Sequence, residues 1–191
     1  MSDTVTIIVS ATNNQIVKSF GGGDYQPLKF SPGSEFLVYQ HPVHDLQSLA
    51  SVISGLEAEP AKAVIRGLPL LPENEPVARQ SQNFSSISRH WCMIDIDSLA
   101  WDGDLHDHKP MLEYASCQLP PEFQHTDCWY HFSSSMGIKA GIRVHLWYWL
   151  ERPCSDTEMK AWLSGCPVDL RLFNPIQIHL TANPQFIDGA T

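Results

Sequence analysis

The stretch HWCMIDID, residues 90–97, narrows the choice of fold more than any other in the chain. Its apolar and β-branched residues predict a strand, and side chains two apart along a strand share a face. Cys92, Ile94 and Ile96 therefore turn one way, and Asp95 and Asp97 turn the other. Such a strand belongs in a sheet with one face on a core and the other face polar. Two neighbouring carboxylates repel, and burying them without partners costs roughly several kcal/mol. Hard oxygen donors that face the same way suit a divalent cation such as Mg²⁺ or Mn²⁺. The same pattern also fits a solvated strand end with two surface aspartates, because D-x-D is a short motif.

The surrounding segments alternate without a regular βαβα rhythm, so the expected class is α+β. TVTIIVS (4–10) and EFLVYQ (35–40) read as strands, and QIVKSF (15–20) as the returning arm of a first hairpin through a turn at Thr12–Asn14. Leu46, Leu49, Ile53 and Leu56 recur at helical spacing, which predicts a helix over 45–56 between Asp45 and Gly55. AVIRGLPL (63–70) reads as a strand that breaks at Pro69, and the polar segment 71–88 as a loop. A helix is expected near 109–117. WYHFSSS (129–135) and IRVHLWYWL (142–150) read as a hairpin around MGIKAG. Ser155 and Glu158 form a capping box for a helix over 155–165, with Gly165 at its stop, and PIQIHLT (175–181) reads as a last strand.

At 191 residues the chain can bury a real core, as one large domain or two interlocked subdomains. No apolar run approaches the ~20 residues that span a bilayer, and the amino terminus lacks the basic and apolar stretches of a signal peptide. Cys92, Cys117, Cys128, Cys154 and Cys166 show no paired spacing, so no disulfide framework is expected and a reducing cytoplasm is the expected compartment. A net charge of −9 argues against non-specific coating of nucleic acid, though it does not constrain a local cleft. The stop at Asp188–Thr191, with nothing like a closing element, reads as a fragment of a longer protein.

Several further residues are candidates for chemistry. Arg143, His145, Trp147 and Trp149 share one face of 142–150, and Val144, Leu146, Tyr148 and Leu150 the other. A cation and an imidazole on one face can grip phosphate oxygens, although a half-buried histidine among tryptophans fits as well. Ser133, Ser134 and Ser135 lead into a loop with Gly137, Lys139 and Gly141, which is either a phosphate cradle or a plain β-turn. Asp169, in CPVDLRLF, offers a third carboxylate from a different element, as a two-metal site needs; alone it reads equally as a turn aspartate after Pro167. His106, His108, Cys117, His125 and Cys128 are zinc-type ligands, but without a C-x₂-C pair they read as ordinary loop residues and a structural zinc is not expected.

Taken in order, MIDID (93–97), SSSMGIKAGIRVHLWYWL (133–150) and VDLRLF–NPIQIHLTANP (168–184) resemble the three motifs of the archaeo-eukaryotic primase superfamily. The wording is most similar to primase-polymerases of phages and integrated mobile elements, and the likeness spans residues 60–186. It implies one catalytic domain over 1–191, with an RRM-like catalytic sheet (85–186) packed against an N-terminal α/β unit (1–70). Asp95, Asp97 and Asp169 match the ligands of two Mg²⁺ or Mn²⁺ ions, and His145 the histidine that contacts the incoming triphosphate. The family often has serine two residues before that histidine. Here the position is Arg143, so Arg143 itself, or one of Ser133–Ser135, is left to serve the phosphates together with Lys139. The implied activity is template-directed nucleotidyl transfer, as a DNA primase or DNA polymerase in replication of a phage or mobile element. An NTP or dNTP, a single-stranded DNA template and a helicase domain or partner are the implied company, with no membrane.

Two other classes fit parts of the pattern. A metal-dependent nuclease or phosphodiesterase also clusters carboxylates around two ions. A non-catalytic RRM-like nucleic-acid-binding module would use Trp129, Trp147 and Trp149 as stacking platforms and would not need the three aspartates. A rolling-circle nuclease wants paired histidines, and IHLT (178–181) has one.

Overall fold

A computed structural model describes residues 2–22, 25–72 and 75–187; the stop at 188–191 lies outside the described residues. Its strands are β1 (Asp3–Ser10), β2 (Ser19–Gly21), β3 (Gln26–Pro27), β4 (Glu35–Val43), β5 (Lys62–Ile65), β6 (Leu68–Pro69), β7 (Val77–Ala78), β8 (Phe84–Ser85), β9 (Arg89–Leu99), β10 (Trp129–Phe132), β11 (Ile142–Cys154) and β12 (Gln185–Ile187). Its α-helices are α1 (Leu46–Gly55), α2 (His108–Ser116) and α3 (Asp156–Trp162). Several small sheets and three helices among the described residues make the class α+β. The chain divides into two compact units, Met1–Ile87 with Asn174–Thr191, and Ser88–Phe173. The segment Asn174–Thr191 groups with the first unit.

The first unit is built on a four-stranded antiparallel sheet in the order β5-β1-β4-β7. Ile8, Phe36, Val38 and Ile65 bury their side chains in its core together with Ile16 and Phe84. Helix α1 starts at Asp45, whose carboxylate accepts from the Ser48 N–H at 2.7 Å, a strong N-terminal cap.

Four expectations need correction here, the first being the loop 71–88, which carries the short paired strands β7 and β8. QIVKSF is not the second arm of a hairpin with β1, because β4 and β5 already occupy both edges of that strand. Ser19–Gly21 pairs instead with β3, and in parallel with β12. AVIRGLPL is two strands in different sheets, broken at Arg66–Gly67 rather than at Pro69. A side chain at Gly67 would meet the Pro175 carbonyl oxygen at 2.7 Å, which explains why glycine stands at the corner. PIQIHLT makes a single bridge, between His179 and Val64, and is not a strand. Its alternation has another cause: Ile178 inserts into the core, and the partly buried Ile176 and Leu180 pack against it, without a ladder of backbone bonds.

The second unit carries a three-stranded antiparallel sheet, β10-β11-β9. From β9, Cys92, Ile94 and Ile96 enter its core, and from β11 Val144, Leu146, Tyr148 and Leu150. They pack with Met111 and Ala115 of α2 and with Met159 of α3, all fully buried. Fully burying each large aliphatic side chain contributes about 1.5–3 kcal/mol, so this face fixes the register; the opposite face mixes Asp95, Asp97, Arg143 and His145 with the buried Trp91, Met93 and Trp147. The capping box of α3 forms as the sequence implies: the Ser155 side chain accepts from the Glu158 N–H, and Glu158 accepts from the Ser155 N–H at 2.8 Å. Helix α2 covers His108–Ser116, one residue from the expected span.

Candidate active site on the three-stranded sheet

Register decides which polar side chains meet. Along β9 and β11, Asp97 lies opposite Arg143 and Asp95 opposite His145, while His131 of β10 lies opposite His145 on its other side. His131, His145 and Asp95 thus form one row across three strands. Its contacts differ in kind: His131 Nε2 to His145 Nδ1 is a short hydrogen bond of 2.5 Å, and His145 Nε2 to Asp95 Oδ1 is a looser 3.5 Å approach. In the next row the Arg143 guanidinium donates to the Asp97 carboxylate and to the Ser98 hydroxyl. Ser98 sits at φ +69° at the irregularity where β9 and β11 lose register, which turns its hydroxyl toward Arg143.

Asp169 arrives from the loop after α3. Its N–H donates to the Asp95 carbonyl at 3.1 Å, so the third acid is tied by backbone to the strand that carries the first two. Asp95, Asp97 and Asp169 line one pocket of about 390 Å³ with Cys166, Pro167, Val168 and Arg171. The Arg171 guanidinium grips the Asp169 carboxylate with Nε to Oδ1 and Nη2 to Oδ2, both 2.9 Å. That fork holds the Asp169 carboxyl below its ordinary range, against a smaller opposing effect of burial.

The other expected contributors are placed less centrally. Ser133 pairs through its N–H with the Arg143 carbonyl, which puts it beside Arg143, and its hydroxyl lies 3.5 Å from that of Ser135. Both serines are buried in a turn whose backbone closes on itself, with the Ile138 and Lys139 N–H groups donating to the Ser135 carbonyl. Lys139 is exposed on that turn. The motif reading missed two residues. His131 needed the β10–β11 register, whereas Arg171 carried a readable signal as the cation two residues after Asp169.

The donor chemistry fits hard divalent ions, since three carboxylates face one pocket. Among the described residues, no three His, Cys, Asp or Glu side chains stand close enough together to chelate an ion as they lie. Asp97 and Asp169 are instead paired with guanidinium groups, those of Arg143 and Arg171.

A protein of Escherichia phage T5 named "Putative replication origin binding protein" is 26% identical to this chain over 171 residues. The match takes in 76% of this chain and spans 18% of that protein. No protein-family model and no solved structure matches. No helix among the described residues is long and apolar enough to cross a membrane.

Proposed function

We propose that the chain is the catalytic part of a primase-polymerase, a nucleotidyltransferase acting in replication of a phage or mobile element. The observation that carries this reading is the Asp169 N–H bonded to the Asp95 carbonyl, which gathers three acids from two elements at one pocket. The similarity to a phage T5 protein named for binding a replication origin supports the replication role. The motif order supports the primase fold, with the β10-β11-β9 sheet as the catalytic sheet.

Asp95, Asp97 and Asp169 would hold the Mg²⁺ or Mn²⁺ ions, which when bound supply Lewis acidity to the attacking hydroxyl and the phosphates. The protein's own groups orient the triphosphate. His145 offers a ring nitrogen next to Asp95, and Arg143 and Arg171 bring guanidinium charge that exchanges a carboxylate for phosphate oxygens. Lys139 adds an exposed cation from the hairpin turn. A helicase domain or partner would grip the template, since a chain of charge −9 makes few phosphate contacts.

Of the three tryptophans a non-catalytic stacking module would use, Trp147 at 0% exposure is closed to a base, and stacking would fall to the half-buried Trp129 and Trp149. The test is incubation with labelled NTPs or dNTPs, single-stranded DNA and Mg²⁺ or Mn²⁺. Products longer than the input, lost in Asp95→Ala and Asp97→Ala, are expected. Products shorter than the input would assign the pocket to a nuclease instead.

A further inference from the structure

The chemistry proposed above leaves His131 without a role. We infer that His131 is a positioning residue: its Nε2–H donates to His145 Nδ1 and fixes His145 as the tautomer that carries its proton on Nε2, facing Asp95. The place of the proton stands whether or not the site transfers nucleotides; only its catalytic consequence rests on the proposed function.

Two ring nitrogens 2.5 Å apart share one proton, so one ring donates and the other accepts. Suppose His145 were the donor. The His131 ring would then carry its own proton on Nδ1, which is sealed from solvent and has no hydrogen-bond partner among the described residues. A buried donor without an acceptor is a costly arrangement. At the other end, His145 Nε2 would turn a lone pair toward Asp95 Oδ1 at 3.5 Å, acceptor against acceptor. With His131 as the donor, both conflicts disappear: His131 Nδ1 is a bare acceptor, and His145 presents an N–H to the carboxylate. The two ends of the row select the same proton position.

The surroundings of His131 favour a neutral ring of fixed orientation. Trp129 and Trp147 meet it edge-on, at centroid distances of 5.2 and 6.2 Å. Burial pushes its pKa down to about 4. A second imidazole here sets the tautomer of a functional histidine by donating to it, whereas carboxylates and carbonyls behind other histidines do so by accepting. His145 then presents a donor on its Asp95 side.

The test is ¹⁵N NMR of the metal-free chain with labelled histidine. In the wild type, His145 Nδ1 should be unprotonated and Nε2 protonated, with a scalar coupling across the N–H···N bond to His131 Nε2. His131→Phe should leave His145 as a mixture of tautomers. His131→Gln places an amide N–H where Nε2 stood and should restore the single tautomer. A His145 proton on Nδ1 in the wild type, or an unchanged tautomer in His131→Phe, overturns the inference. If His131→Phe does not fold, the other two proteins decide: Nε2–H with the coupling in the wild type and Nε2–H in His131→Gln support it, and Nδ1–H in either refutes it. In nucleotide incorporation, His131→Phe should lose about tenfold or more and His131→Gln should recover most of the loss. A normal tautomer pattern without incorporation in the wild type would count against the proposed function and leave the positioning role standing.

Discussion

At the scale of single residues, the pocket is a set of carboxylates each met by a basic partner. Isosteric replacement is the cleanest probe, because an amide keeps the shape and loses only the charge. Asp97→Asn and Asp169→Asn are each expected to lower nucleotide incorporation by about 100-fold or more, with the circular dichroism spectrum unchanged. Activity within a few-fold of wild type in both would remove the acids from the mechanism. The D-x-D pair was legible in the sequence because strand alternation is local: apolar neighbours on one side place Asp95 and Asp97 together on the other. Asp169 beside Asp95 was not legible from local pattern, since it depends on one backbone bond between segments more than seventy residues apart. His131 was hidden for a similar reason. Its neighbour is chosen by the turn that sets β10 against β11, and nothing within WYHFSSS signals that choice.

At the scale of elements, capping and turn chemistry make measurable contributions. Ser155→Ala removes the cap of α3 and should destabilise the chain by about 1 kcal/mol in urea unfolding at pH 7. Its partner Glu158 has its pKa lowered to about 2, first by the Ser155 N–H, then by the Ser155 hydroxyl and Arg152. A carboxyl with a depressed folded value stabilises above its unfolded value, here near 4.5, and loses that contribution as pH falls toward 2. The Ser155→Ala penalty should therefore be smaller at pH 3 than at pH 7; an equal penalty would detach Glu158 from the cap. Gly141 closes the β10–β11 hairpin at φ +82°, where an added Cβ would meet the Leu99 carbonyl oxygen at 2.7 Å. Gly141→Ala should cost about 1–2 kcal/mol or more, read as a lowered melting temperature. Elements with local signals were the ones the sequence placed well: α1 and α3 have capping boxes, and β9 and β11 have long alternation. QIVKSF and PIQIHLT misled because apolar side chains can anchor a segment to a core while its backbone pairs elsewhere or hardly pairs.

At the scale of the whole molecule, the described residues fall into two compact units, and every acid of the candidate site lies in the second. The phage T5 relative is far longer than this chain, and the match spans 18% of it. The guanidinium partners of Asp97 and Asp169 have a consequence for handling the protein. Folding leaves no lone anionic couple waiting for magnesium, because the counter-charge is resident in the chain itself. Stripping the solution with EDTA should move the melting temperature by less than about 2 °C while silencing incorporation. A chain that melted on chelation would instead be one in which metal serves as scaffold.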